Sequence, residues 1–326
     1  MIKLRRFAVL LALPIATWAA DPALLKLVMP DAKVIAGIQV DQTKNSLFGQ
    51  YILAHMQVDD AGFKTFIAQT GFDPRRDVKE ILIASNWESN SAASRWLVMA
   101  HGSFDLSKIA TAAQGNGVTT TNFQGVNILV HSSSDKTGVE NAVAFFDTTY
   151  AVMGDLPSVK GAIGREKSGA VPSNQLLSKV NDLSSKNDFW FVTLVPVSEF
   201  AGAMPDPNLS GAMKGNLLAA INEASGGIRF GDTVTISAEA TTRSEKDAQA
   251  LVDVVKFVAG MVQLNRQNNA TAGQVATLVD TLDCKATGNV TTLSLAIPEL
   301  QLEQMLDMMR QQSHQSTKKP VPPQGN

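Results

Sequence analysis

The chain has 326 residues, enough for one large domain or two medium ones, and a compact fold of this size buries roughly three quarters of its unfolded surface. Hydrophobic residues make up 44% and charged residues 18%, which excludes a largely disordered chain; the 6% aromatic share makes the core aliphatic. The formal charge of -2 comes without an acidic or basic block, so no nucleic-acid partner is expected.

The first twenty residues, MIKLRRFAVLLALPIATWAA, carry Lys3, Arg5 and Arg6, then an apolar run from Phe7 to Ile15, then small residues. That order predicts a secretory signal peptide over residues 1–19, cleaved after Ala19 with Ala20 as the alternative. The run falls short of the roughly 20 residues a membrane-spanning helix needs, and Pro14 weakens it further, so no transmembrane span is expected in the mature chain. No cysteine directly follows the apolar run, so a lipoprotein anchor is not expected. Phe7 directly after the Arg pair leaves the twin-arginine pattern incomplete, so general secretion to the periplasm or the extracellular space is expected. Removing residues 1–19 leaves 25 Lys+Arg against 30 Asp+Glu, a balance of -5. Cys284 is the single cysteine; it cannot form an internal disulfide and reads as a buried, inert thiol, with pairing between chains as the alternative.

After the leader, KVIAGIQVD alternates as a first strand, and SLFGQYILAHM and GFKTFIAQTGF carry apolar residues at helical spacing, the second stopped by Gly71. DPRRD turns the chain at Pro74 into VKEILIASNW and SRWLVMAHGSF, two strands joined as a hairpin through ESNSAA. DLSKIATAAQGNG is a helix capped by Asp105; TTTNFQGVNILVHSSS and NAVAFFDTTYAVMGD are strand candidates; LPSVKGAIGREK is a helix, and KSGAVPSNQ loosens the chain.

The second half opens with the strand DFWFVTLVPV. A helix is predicted over GAMKGNLLAAINEA, with Met213, Leu217, Leu218 and Ile221 on one face. GGIRFGDTVTISAEATT forms two strands around Gly231-Asp232. SEKDAQALVDVVKFVAGMVQLNRQ is the strongest helix, with Ser244 and Asp247 as a capping pair and Ala248, Leu251, Val255, Val258 and Val262 on one face. ATAGQVATLVDTL adds a helix, CKATGNVTTLSLAIP a hairpin through Gly288-Asn289, and ELQLEQMLDMMRQQ a last amphipathic helix.

Set side by side, the halves follow one plan. The predicted fold is α+β: two tandem split βαβ, ferredoxin-like units over residues 20–170 and 171–312, with mostly antiparallel sheets and helices packed on one face. Residues 313–326 lack apolar periodicity and are expected to form a disordered tail. The stretches LLKLVMPDAKVIAGIQVD, TGFDPRRDVKEILIAS and VMAHGSFD resemble a loose group of uncharacterised exported bacterial proteins with duplicated α+β domains, a leucine-rich "LLP.DA" entry and a "G.DP..D" turn. The resemblance covers residues 24 to 110 and implies export and fold, with no functional residue carried over.

No chemical motif stands out. His55, His101, His131 and His314 show no metal-ligand spacing. In AHGSFD, His101 and Ser103 lack the G-x-S-x-G turn that a serine nucleophile uses, GNGVTTTNFQG lacks a phosphate-loop Lys, and Asp59-Asp60 sit in a polar loop. Arg75 and Arg76 with Asp73 and Asp77 read as a solvated turn. No catalytic residue, cofactor or metal is expected. Leu302, Met305, Leu306 and Met309 form a stripe on the last helix that could meet a partner or pack on the protein's own sheet. The expected role is an exported non-enzymatic interaction or scaffold protein of the cell envelope. A carrier of a lipid or other apolar ligand is the first alternative, and a hydrolase using His101 and Ser103 the second.

Overall fold

The structure is a computed structural model, and it describes residues 19–55, 61–88, 94–115, 117–132, 140–169, 173–199, 217–267 and 270–316. The leader before residue 19 lies outside the described residues, as do Asp59, Asp60 and Met213. In chain order the elements are α1 (Pro22–Lys26), β1 (Val34–Gln39), α2 (Val40–Asn45), α3 (Leu47–His55), α4 (Ala61–Thr70), α5 (Pro74–Asp77), β2 (Val78–Ser85), β3 (Trp96–Gly102) and α6 (Leu106–Gly115). Then come β4 (Thr119–Phe123), β5 (Val126–Ser132), β6 (Glu140–Phe145), β7 (Tyr150–Asp155), α7 (Leu156–Ser168), α8 (Leu177–Lys186) and β8 (Phe189–Thr193). The rest is β9 (Ile221–Arg229), β10 (Thr233–Thr242), α9 (Glu245–Leu264), α10 (Ala270–Val279), β11 (Asp283–Thr287), β12 (Val290–Pro298) and α11 (Glu299–Ser316).

The fold is α+β, and its strands form one twelve-stranded sheet in the order β11-β12-β10-β9-β8-β1-β2-β3-β7-β6-β5-β4, antiparallel at every pairing. The two sheets expected from the sequence are therefore joined. The seam is β1 against β8, with Val34 opposite Thr193 and Ile38 opposite Phe189. On each side of it a three-strand meander leads to helices, and the chain then returns from the sheet edge inward until β7 pairs β3 and β12 pairs β10. A split βαβ arrangement is present where β10 and β11 flank β12, because alternating antiparallel neighbours make those two strands parallel. In the first half the same excursion is widened. TTTNFQGVNILVHSSS folds as a hairpin of β4 and β5 across Gln124 and Gly125, both at positive φ (51° and 82°), so three strands separate β3 from β4.

Helices cover both faces of the sheet, not one. Alternation along β1, β2, β3 and β7 puts Ile35, Leu82, Met99 and Val152 on one face, where α7 adds Val159, Ala162 and Ile163, α8 adds Val180, and α1 adds Leu24 and Leu27. On the other face α4 and α6 lie over the first half. There too α9 packs on the second half: Thr291 Oγ1 donates to the Ala248 carbonyl at 2.9 Å, and the strand partner of Thr291 is Ala240, which points away from the α8 side. Lys179 of α8 meets Glu223 at 3.2 Å and also pairs with Glu239, which fixes α8 over β9 and β10.

Three local expectations change. The segment predicted as a helix around Leu217, Leu218 and Ile221 makes one 3₁₀ turn at Leu218–Ala220 and then becomes β9, because Ala224, Ser225 and Gly226 pair with both β8 and β10 and that pairing overrides the helical apolar spacing. Residues 313–316, expected in a disordered tail, continue α11, while 317–326 lie outside the described residues. Helices α1, α2 and α8 form where the sequence reading placed connections. Among the described residues no helix is long and apolar enough to cross a membrane.

Candidate functional site

Strand alternation leaves a second set of apolar side chains on the face away from α7: Ile81 and Ile83 on β2, Val98 and Ala100 on β3, Val143 and Phe145 on β6, Met153 on β7 and Leu129 on β5. Helices α4 and α6 stand over this surface through Phe66 and Ile109 but do not close it, and the space between is a groove of about 700 Å³. Phe72, Phe104 and Phe145 form an aromatic wall, with ring centroids 5.4 Å and 5.2 Å apart in succession. Phe66, Ile83 and Met153 remain 44%, 45% and 43% exposed, unusual for large apolar side chains gathered in one place. Polar groups are few. His131 and Asn141, opposite each other in the β5–β6 pairing, lie at one end of the groove, and Thr70 uses its hydroxyl within α4, donating to the Phe66 carbonyl at 2.7 Å.

The chain between α4 and β2 is held by charge. Asp73 caps α5, accepting the Arg75 backbone N–H at 3.0 Å and its guanidinium Nε at 2.9 Å, while Arg76 donates to Asp77. The Arg75 guanidinium beside Asp73 holds that carboxyl below the usual range, and Arg76 does the same for Asp77. Arg75 also lies 5.5 Å above the Phe63 ring. These four charges therefore brace a one-turn helix.

On the opposite face of the sheet a polar row crosses four strands: Gln39 on β1, Glu80 on β2, His101 on β3 and Tyr150 on β7 occupy successive cross-strand positions. Asp21, just before α1, gathers the row. Its Oδ2 accepts the Tyr150 hydroxyl at 2.9 Å and lies 3.1 Å from His101 Nδ1, and its Oδ1 accepts the Ala23 N–H at 2.8 Å. The His101 and Tyr150 rings stack at 4.7 Å. Both oxygens of Glu80 accept the Asp21 backbone N–H, at 3.1 Å and 3.3 Å. Burial pushes the Glu80 carboxyl up to about 7 against the lowering pull of the Asp21 N–H and the Gln39 side chain. Burial and the hydrogen bond to Asp21 push the Tyr150 hydroxyl up to about 12, so it stays a donor at neutral pH. A polar hollow of about 570 Å³ opens beside this row, lined by Ala19, Gln39, Asp41, Lys79 and Glu80 among others.

His101 is thus committed to Asp21 and Tyr150, while Ser103 is exposed beyond the end of β3, with its backbone N–H donated to the Asp77 carbonyl at 2.8 Å. Leu302, Met305 and Leu306 are half-buried on α11, which contacts β12, α3 and α10; the side chain of Met309 lies outside the described residues, as do those of His55 and His314. Cys284 is buried at the start of β11, and burial pushes its thiol up. Among the described residues no group of three His, Cys, Asp or Glu side chains is placed to hold a metal ion.

The sequence reading missed both the groove and the polar row. For the row a signal existed, since Glu80 and His101 fall in phase with Leu82 and Met99 on the buried face of their strands. For the groove there was none, because nothing in the spacing of α4 and α6 says that they stand off the sheet.

No protein-family model and no curated protein matches the chain. Among solved structures, the one described as "Structure of crystal form I of TP0453" aligns with 88% of this chain and 97% of its own, at 12% identity and a TM-score of 0.47.

Proposed function

We propose that the protein is an exported carrier of a single-chain apolar ligand, a fatty acid or similar amphiphile, and that it binds without chemical conversion. The observation that carries this reading is the groove of about 700 Å³ between α4, α6 and β2–β7, within the size range of small-ligand sites and lined almost entirely by apolar side chains. An acyl chain would lie along Val98, Val143 and Met153, and its polar head would meet His131 and Asn141 at the groove end. Burying that chain against open apolar surface provides about 0.8 kcal/mol per methylene, enough for useful affinity without any charged contact. Export rests on the composition of residues 1–19.

The interaction-protein reading rests on the leader, the repeated plan and the lack of a catalytic motif, with the stripe Leu302, Met305, Leu306 and Met309 as its candidate contact surface. The first three of these residues are half-buried, and α11 is tied to α3 through Tyr51 and Asp307, so less of that face is free to take a partner. The experiment is native mass spectrometry of protein purified from its own host, followed by titration of the delipidated protein with oleate. The carrier reading expects a bound species of amphiphile mass and saturable one-to-one oleate binding. A clean apo mass together with no saturable binding would overturn it.

A further inference from the structure

We propose that Glu80 and Ser184 form a docking pocket for a primary ammonium group, and that its occupant is the chain's own α-amino group, created by cleavage between Ala19 and Ala20.

Ala20 is buried at 1% exposure, and its nitrogen lies 3.0 Å from Ser184 Oγ on α8. One residue on, the Asp21 nitrogen is held by both oxygens of Glu80, a carboxylate only 5% exposed. A carboxylate removed from water is stabilised by a cation, yet among the described residues Glu80 has no ion-pair partner; burial accordingly favours its neutral form. The charged or titratable groups around it are Asp21, Asp41, Lys79, His101 and Tyr150, of which His101 and Tyr150 are committed to Asp21. Ala19 lines the mouth of the adjacent hollow and is exposed, so the bond before Ala20 sits where buried chain meets solvent. Hydrolysis there adds water across the Ala19–Ala20 amide, leaving a carboxylate on the departing segment and an amine, protonated from solvent, on Ala20. The new ammonium has a hydroxyl acceptor already in place, and the buried carboxylate that holds the next backbone nitrogen has no ion-pair partner among the described residues; a nearby opposite charge favours both ionised forms. This pairing would fasten α1 across the sheet only after the leader has gone.

The inference rests on the reading of residues 1–19 as a signal peptide and is independent of the ligand groove. Protein exported by its own host would be purified and its N-terminal peptide identified by mass. The α-amino group would then be titrated by NMR after isotopic methylation, and its acylation rate compared with that of E80Q. We expect a chain beginning at Ala20 whose amine titrates at least one unit above the ordinary range of about 7.7–8.0 and is acylated near pH 7 roughly ten-fold more slowly than in E80Q. An amine titrating in the ordinary range, or equal acylation in the two proteins, overturns the docking while leaving export intact; a chain beginning at Met1 overturns both, and one beginning at another residue overturns the docking. If E80Q does not fold, the wild-type titration decides alone.

Discussion

Gly37 lies opposite Trp190 in the β1–β8 pairing, and the indole fills the space where a side chain at position 37 would begin. A Cβ there would sit 2.4 Å from Trp190 Cζ2, well inside contact distance. The indole is fully buried with its Nε1 unpartnered, so it is held by packing alone. Gly37→Ala is therefore expected to destabilise the protein by about 1–3 kcal/mol, despite the usual gain on replacing a strand glycine. Urea unfolding followed by tryptophan fluorescence would measure it; an unchanged midpoint would mean that the seam has room to spare.

Asp155 ties three elements at one point. It accepts the Trp96 N–H at 2.9 Å, the Ser158 N–H at 2.9 Å and the Ser158 hydroxyl at 2.8 Å, so one carboxylate both caps α7 and secures the start of β3. Asp155→Ala removes the cap and orphans a strand N–H, for an expected loss of about 2–4 kcal/mol. Asp155→Asn, which keeps an acceptor, should lose less, and thermal unfolding of the two variants would rank them.

Ala100 faces the apolar groove from the middle of β3, so on the carrier proposal a larger side chain there takes the space of the acyl chain. Ala100→Phe is expected to weaken oleate binding about ten-fold or more, equivalent to about 1.4 kcal/mol, while leaving the unfolding midpoint close to that of the parent. Met153→Asp, at a position already 43% exposed, should act in the same direction by placing a charge against the acyl chain. Retained affinity in both would remove the groove as the binding site.

Glu80 makes stability depend on pH in a stated direction. In a chain that keeps residues ahead of Ala20, its folded value of about 7 stands above the ordinary glutamate value of 4.5, so between these pH values the folded state holds a proton that the unfolded state has released. Stability then falls as pH rises from about 4.5 to about 7 and levels off above, by up to about 3 kcal/mol. Glu80→Gln should flatten that slope. A chain beginning at Ala20, with its ammonium beside Glu80, should lose the slope as well, and denaturation midpoints at pH 5 and pH 8 would compare the three.

Much of the architecture was legible where residue chemistry acts locally. The Ser244–Asp247 cap of α9 is present, with the Asp247 N–H donated to Ser244 Oγ at 3.2 Å, and Gly71 ends α4 at φ 68°. The hairpins β2–β3 and β11–β12 formed where alternation and turn residues placed them. What failed was non-local. Ile221 to Gly226 become a strand because β10 pairs along them and β8 pairs from Ala224 onward, and nothing within GAMKGNLLAAINEA encodes those neighbours. The two expected sheets join through the β1–β8 pairing, in which Gly37 meets Trp190, residues far apart in sequence. Likewise the groove is set by how far α4 and α6 stand from the sheet, a distance that side-chain periodicity does not specify.

The placement of β1 between β2 and β8 has a consequence for assembly. As the chain emerges, β1 can zip onto β2 at once, but its other flank stays bare until Phe189–Thr193 arrive, so the middle of the finished sheet is for a time its unguarded border. Closure of that border is the step at which the two halves become one cooperative body, and variants that delay it should be lost to self-association before folding ends.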